Sequence, residues 1–292
     1  MLRWRILLGA LFIAALAGLL WLDFAVAPGV WVFALALVIG LAAAQEMVAL
    51  ALAGGHDPQR YVVYGGTLLV IASNAIPLFV VRAVDDQPWE HLGWPLVAFA
   101  LVLLVAFLGE ISRYRAPGKS IVNLALAMFA VAYVGLLLSF AVQLRALGGP
   151  VTGMVALVAL LVVVKFGDIG AYTVGRLFGR HKMSPVLSPG KTMEGAVGAI
   201  LFATVGAWLV FTYLPLWVEC NRATSQWKWL VFGVVVGGTG LIGDLAESLL
   251  KRDVGVKDSS AWMPGFGGVL DVIDSILFAA PVAYLCAMIE MM

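Results

Sequence analysis

Long apolar stretches, separated by short polar segments, run along the whole chain. Nine of them approach the roughly 17–25 residues that an α-helix needs to cross a bilayer. They lie at about 6–22, 30–53, 61–81, 93–109, 121–142, 151–167, 196–217, 229–245 and 275–290. Their apolar residues are continuous, whereas barrel strands alternate and unclosed strands leave backbone groups unpaired in hydrocarbon. The pattern predicts an all-α, polytopic transmembrane protein with about nine spans.

The composition favours the same class. Hydrophobic residues make up 63% of the 292 residues and charged residues only 12%, whereas ordinary soluble domains are roughly 25% charged. The two cysteines, Cys220 and Cys286, are far apart in the sequence and lack a CxxC spacing. They therefore predict neither a zinc site nor a disulfide framework.

The basic residues are distributed unevenly. With nine crossings and the N-terminus in the cytoplasm, fourteen of the eighteen Lys and Arg residues fall on the cytoplasmic side, as the positive-inside rule expects. The other four are Arg82, Arg145, Arg222 and Lys228. Because Arg3 and Arg5 precede an apolar run longer than that of a typical signal peptide, we expect an uncleaved first span. We predict a single membrane-embedded domain over 1–292, with N-terminal spans at 1–164 and a catalytic part at 165–292.

A first polar segment covers about 168–195. Its Gly residues and Ser-Pro pairs predict a loop. Backbone amides there, together with Ser188, Lys191 and Thr192, are groups that can surround phosphate oxygens. The alternative is a basic loop that sets topology and contacts anionic headgroups. Asp168 and Glu194 at its two ends favour a functional site, because topology needs no acidic residues there.

A second polar segment covers about 246–274 and follows Asp244 at the end of an apolar span. On a helix, Asp244 and Ser248 share a face. Asp271 and Asp274 are three residues apart, so a helix would point both carboxylates the same way. The paired glycines before them, 267 and 268, allow the backbone to approach a ligand closely.

Carboxylates at the ends of apolar helices are costly to desolvate unless they are paired or bind a cation. Asp244, Asp271 and Asp274 therefore predict a metal site, and oxygen ligands without His or Cys favour Mg²⁺. A second cation is left open. The alternative is a structural network with the nearby basic residues Lys251, Arg252 and Lys257.

The order of these residues resembles the signature of the phosphatidate cytidylyltransferase family. The second segment carries Ser248-x-x-Lys251-Arg252-x4-Lys257-Asp258 and then Pro264-Gly265-x-Gly267-Gly268-x-x-Asp271-x-x-Asp274. The first carries Asp168-x-Gly170-Ala171-Tyr172 and then Ser188-Pro189-x-Lys191-Thr192-x-Glu194-Gly195. The resemblance covers roughly residues 165–275. Two positions depart from the family pattern, since Phe266 replaces the usual His and Val272 the usual Arg.

The resemblance implies transfer of a cytidylyl group from CTP to phosphatidic acid, which forms CDP-diacylglycerol and pyrophosphate in phospholipid biosynthesis. The catalytic residues it implies are Asp244, Lys251, Arg252, Lys257, Asp271 and Asp274. The substrate-binding residues it implies are Asp168, Ser188, Lys191, Thr192, Glu194, Ser248, Asp258, Gly267 and Gly268. The expected partners are CTP, phosphatidic acid and the lipid bilayer, and no nucleic acid is expected. Assembly of the chain into a homodimer is left open. The expected location is a bacterial plasma (inner) membrane, with the active site on its cytoplasmic face.

Three other functions stay open at this level. A phosphotransferase acting on a CDP-activated lipid would need a Gly and a further Asp repeat after Asp271 and Asp274, which the chain lacks. A cation-coupled transporter would place its carboxylates near the bilayer midplane in broken helices, whereas these lie at span ends. A noncatalytic membrane scaffold is kept open by Phe266 and Val272.

Overall fold

The computed structural model describes residues 2–80, 88–218, 227–260 and 267–289. Within these ranges the chain is almost entirely helical. The helices are α1 (Leu2–Ala25), α2 (Val30–Ala53), α3 (Arg60–Ala72), α4 (Pro88–Arg113), α5 (Ser120–Ala130), α6 (Leu137–Ala146), α7 (Gly149–Phe178), α8 (Met193–Trp217), α9 (Lys228–Asp253) and α10 (Val269–Met288). Two π-helical segments, Ile76–Val80 and Val131–Leu136, follow α3 and join α5 to α6.

Eight helical stretches of the described residues are long and apolar enough to cross a membrane. They are Val30–Ala53, Arg60–Phe79, Leu92–Arg113, Ser120–Ala146, Gly149–Phe178, Met193–Trp217, Lys228–Asp253 and Val269–Met288. A shorter apolar helix, Gly9–Ala25, lies within α1. Each of the nine predicted stretches therefore falls on a helix, which confirms the prediction of a polytopic, all-α integral membrane protein.

The chain folds into two compact units. The first comprises Met1–Ala146 and Asp258–Val272. Its core packs α3, α4, α5 and the start of the second π-helical segment through Val70, Ala98, Val102, Ala106, Met128 and Val131. A buried ion pair also lies within it, with Arg145 Nε 2.7 Å from Asp23 Oδ2. Asp23 further accepts hydrogen bonds from the backbone N–H groups of Gly29 and Val32, which fix the turn between α1 and α2.

The second unit comprises Leu147–Lys257 and Ile273–Met292. In it α7 and α8 approach closely where Gly170 faces the backbone of Gly198, since neither residue has a side chain to separate them. On α9, Gly243 packs directly against the backbone of Asp274 and the side chain of Phe278. The prediction of a single domain over the whole chain stays a prediction.

The connection between α7 and α8 differs in part from the predicted loop. Residues up to Phe178 continue α7, and the rest forms an antiparallel hairpin of β1 (Lys182–Ser184) and β2 (Ser188–Thr192). Ser184 pairs with Ser188 at the turn. The strands have three and five residues, which is too short for an alternating pattern to be seen in the sequence.

Candidate active site

The first polar segment is held to α8 through residues of the predicted substrate-binding set. Thr192 caps α8, because its Oγ1 accepts a hydrogen bond from the backbone N–H of Gly195 at 3.1 Å. Glu194, in the first helical turn, accepts hydrogen bonds from the backbone N–H groups of Arg180 and His181. It also contacts His181 Nδ1 at 2.6 Å. Thr192 and Glu194 therefore anchor the hairpin at the N-terminus of α8.

The hairpin meets the second polar segment on α9. Lys191 Nζ lies 2.9 Å from Asp244 Oδ1, as an ion pair rather than a well-directed hydrogen bond. Arg252 Nε donates a hydrogen bond to the backbone oxygen of Leu187 at 3.2 Å. Two segments that are far apart in the sequence thus come together within the second unit, and three of the contacting residues belong to the predicted site.

Further predicted residues lie in the same unit. Lys251 pairs with the buried Glu247 one helical turn away, as their spacing predicts. Asp168 lies on α7 rather than in a loop and pairs with Lys165 Nζ at 2.9 Å. The buried Asp274 interacts electrostatically with the charges of Asp244, Asp168 and Lys165. Ser188 is on β2 and Ser248 on α9, both partly buried, while Lys257 is exposed.

Within the first unit, Asp271 stands at the start of α10. Its Oδ2 accepts hydrogen bonds from the Ser259 backbone at 3.0 Å and the Gly268 backbone at 2.7 Å, and the Ser259 hydroxyl lies 2.6 Å away. Gly267 has a φ of +86° and packs directly against the Asp271 carboxylate. These contacts give the glycine pair a packing role, while its predicted role toward a ligand stays a prediction. Asp258 is exposed.

Glu46 on α2 is absent from the predicted site, although the structure gives it a central place in the first unit. The residue is 6% exposed, and its carboxylate accepts hydrogen bonds from the Ser260 hydroxyl and from the backbone N–H groups of Val269 and Leu270. The Ser259 hydroxyl lies 2.8 Å from Glu46 Oε2, and its single proton is shared between Glu46 and Asp271. The sequence contains one signal for this residue, because an ionisable side chain inside an apolar span is a functional candidate by default.

The predicted Mg²⁺ ligands provide carboxylate oxygens, which is the donor chemistry that Mg²⁺ prefers. Asp244 is also 39% exposed at its side chain, which leaves it accessible to a hydrated cation. In the described ranges, however, no group of three or more His, Cys, Asp or Glu side chains is arranged to hold a metal ion. The metal site therefore stays a prediction.

Of the two departures from the family pattern, Phe266 lies outside the described residues, as do Pro264, Gly265 and Cys220. Val272 is on α10 with a side chain 36% exposed.

Comparison with known proteins matches residues 3–289 to the model of the cytidylyltransferase family. A phosphatidate cytidylyltransferase of Staphylococcus saprophyticus subsp. saprophyticus is 34% identical over 186 residues, which cover 64% of this chain and 65% of that protein. That of Staphylococcus epidermidis is 32% identical over 209 residues, covering 71% and 75%. That of Staphylococcus aureus is 34% identical over 197 residues, covering 66% and 71%. The match over nearly the whole length shows that this chain belongs to the cytidylyltransferase family and is a membrane-embedded nucleotidyltransferase.

Proposed function

We propose that this chain transfers the cytidylyl group of CTP to phosphatidic acid, forming CDP-diacylglycerol and pyrophosphate. The observation that carries the proposal is the ion pair between Lys191 and Asp244, because it joins the two segments that resemble the family motifs. The similar staphylococcal proteins bear the name of this activity. Nothing in the described part of the chain favours the alternative of a cation-coupled transporter.

The reaction needs little acid or base assistance from the protein. A phosphate oxygen of phosphatidic acid is already ionised and attacks the α-phosphorus of CTP. A new P–O bond forms there, the bond from the α-phosphorus to the oxygen bridging it to the β-phosphorus breaks, and pyrophosphate leaves with that oxygen. Catalysis then rests on positioning and on stabilisation of negative charge. The basic residues, rather than a protein nucleophile and a general base, would therefore provide most of the catalytic effect.

The basic residues would bind the phosphates of the two substrates. Lys191 is fixed by the hairpin at one side and by Asp244 at the other, which orients its ammonium before CTP arrives. Arg252 is tied to the hairpin at Leu187, and its guanidinium suits planar contacts with phosphate oxygens. Lys251 and Lys257 would add positive charge, and the hydroxyls of Ser188, Thr192 and Ser248 would donate to phosphate oxygens. Asp168, Glu194, Asp258 and the Gly267–Gly268 pair complete the proposed substrate-binding set.

Asp244, Asp271 and Asp274 are the residues that would hold Mg²⁺, and a second cation stays open. When bound, Mg²⁺ supplies neutralisation of the charge that develops on the triphosphate. The charge of Asp274 would change the electrostatic potential at Asp244, with which it interacts.

The proposed location is a bacterial plasma membrane with the N-terminus and the active site on the cytoplasmic side. The unequal distribution of the basic residues supports this orientation. It is also the side where CTP is present, while the acyl chains of phosphatidic acid stay in the bilayer. Assembly of the chain into a homodimer stays an open alternative.

Lipid mass spectrometry tests the proposal. The purified chain in lipid nanodiscs is given phosphatidic acid of one acyl composition, Mg²⁺ and one of the four nucleoside triphosphates. We expect CDP-diacylglycerol with the supplied acyl chains only with CTP, and we expect little product from an Asp244→Asn variant. Absence of the product from the correctly inserted wild-type protein would refute the proposal.

A further inference from the structure

The carboxylate of Glu46 lies among four hydrogen-bond donors in the first unit. Its Oε1 accepts from the Ser260 hydroxyl at 2.9 Å and from the Val269 backbone at 2.8 Å. Its Oε2 accepts from the Leu270 backbone at 2.8 Å and lies 2.8 Å from the Ser259 hydroxyl, whose single proton is shared with Asp271. Hydrogen bonds to a charged acceptor are roughly twice as strong as neutral ones, so this carboxylate is a strong local anchor.

Two of these donors are the first backbone N–H groups of α10. Such groups lack an acceptor within their own helix, and the helix dipole favours a negative charge beside them. Glu46 supplies both the acceptor and the negative charge, although it lies more than 200 residues earlier in the chain and on another helix. It thereby fixes the position at which α10 begins.

Ser259, which contacts Glu46, also contacts Asp271. The hydroxyl of Ser259 lies 2.8 Å from Glu46 Oε2 and 2.6 Å from Asp271 Oδ2. The backbone N–H of Gly268 also donates to Asp271. A Cβ atom at Gly268 would collide with the Ser259 hydroxyl and with both carboxylate oxygens of Glu46. Glu46, Ser259 and Gly268 therefore form one packed arrangement around the Asp271 carboxylate.

We propose that Glu46 is a positioning residue, which holds the start of α10 and thereby the orientation of the Asp271 carboxylate. The proposal rests on the proposed function only in so far as Asp271 serves the transfer reaction. Glu46 itself need not touch either substrate. Its effect on catalysis is expected to appear in kcat rather than in the binding of CTP.

A glutamine cannot replace this carboxylate. Each of the two oxygens accepts from one backbone N–H, and a backbone N–H cannot reverse its role. An amide has one oxygen and one NH₂ group, so Glu46→Gln leaves either Val269 or Leu270 without its acceptor. Glu46→Asp keeps the charge but withdraws the carboxylate by one methylene.

The test compares Glu46→Gln and Glu46→Asp with a matched control, Glu110→Gln. Glu110 accepts a hydrogen bond from Gln59 Nε2 at 2.8 Å in the same unit and makes no described contact with α10. Hydrogen exchange is measured by mass spectrometry on peptides that cover residues 267–272, in nanodiscs without substrate. Steady-state turnover of CTP is measured in the same preparations.

We expect Glu46→Gln to exchange about tenfold faster in this peptide and to lose about tenfold in kcat, the loss equivalent to one hydrogen bond to a charged group. The KM for CTP should change by less than about threefold. Glu46→Asp should show the same changes to a smaller extent, and Glu110→Gln should match the wild type in both measurements.

Wild-type exchange and kcat in Glu46→Gln would overturn the proposal. If that variant does not insert, wild-type values in Glu46→Asp would overturn it equally. A loss expressed mainly in the KM for CTP would also contradict it, because a positioning residue for Asp271 acts on the reaction rather than on CTP binding. If the wild-type protein makes no CDP-diacylglycerol, the proposed function fails, and the exchange data alone then decide whether Glu46 anchors α10.

Discussion

Lys191 and Asp244 form the contact between the hairpin and α9, and its exposure indicates what it is for. The side chains are 18% and 39% exposed, but the Lys191 Nζ atom itself is buried, so water reaches the carboxylate rather than the ammonium. The pair keeps the positive charge of Lys191 beside an accessible carboxylate, which is an arrangement suited to binding a cation and a phosphate.

Asp244→Asn is expected to separate function from stability. The change should lower the free energy of unfolding by only about 1 kcal/mol, because the amide oxygen still offers an acceptor to the buried Lys191 ammonium, and should lower the rate of CDP-diacylglycerol formation by about 100-fold or more. Asp57→Asn is the matched control, because Asp57 lies 2.9 Å from Arg113 in another partly exposed ion pair. Equal activity in the two variants would contradict a role for Asp244 in the reaction.

Gly268 gives a second prediction at this scale. A methyl group there meets Glu46 and Ser259, and overpacking of this kind costs about 1–3 kcal/mol. Gly268→Ala should lower the midpoint of thermal unfolding in detergent, followed by tryptophan fluorescence. Gly65→Ala should not, because no described atom outside its chain neighbours and its own helix backbone lies within 4 Å of the added carbon. An unchanged midpoint in Gly268→Ala would argue against the close packing around Glu46.

At the scale of elements, the hairpin and α10 show what the sequence could and could not predict. The spans were predictable because each apolar run is continuous over a bilayer's width. The hairpin was not, because strands of three and five residues leave no periodic pattern. Glu46 was missed for another reason, since its partner Ser259 is 213 residues away and only tertiary packing brings them together.

Glu194→Ala tests whether the hairpin depends on its anchor at α8. The variant loses the acceptor for the Arg180 and His181 backbone N–H groups, so the hairpin should open more often. Proteolysis near the exposed Val186 should then be about tenfold faster, the effect of losing one to two hydrogen bonds. Thr173→Val is the control, because the hydrogen bonds of that hydroxyl to described residues are to carbonyls within α7. Equal cleavage rates would show that the hairpin is held by other contacts.

At the scale of the whole molecule, the basic residues predict an orientation that the helices alone do not define. A helix such as α8 has its two ends on opposite membrane surfaces if it spans the bilayer, so sites near each end report sidedness. Val186, just before α8, and Trp217, at its end, have exposed side chains. They are suitable positions for labelling.

Single cysteines at these positions, in a chain with Cys220 and Cys286 replaced by serine, test the orientation. A membrane-impermeant maleimide applied to intact cells should label Trp217→Cys, and Val186→Cys should react only after the membrane is opened. The reverse result would invert the predicted topology. Labelling of both from one side would show that α8 does not cross the bilayer.

In the proposed reaction, this chain joins the α-phosphate of CTP to phosphatidic acid, and the fate of each phosphate tests it most directly. Purified protein in nanodiscs with phosphatidic acid and Mg²⁺ is given CTP labelled with ³²P at either the α or the γ position. We expect α-label in the lipid phase and γ-label in pyrophosphate, in equal amounts and only when phosphatidic acid is present. Gamma-label in the lipid, or release of pyrophosphate without phosphatidic acid, would contradict it.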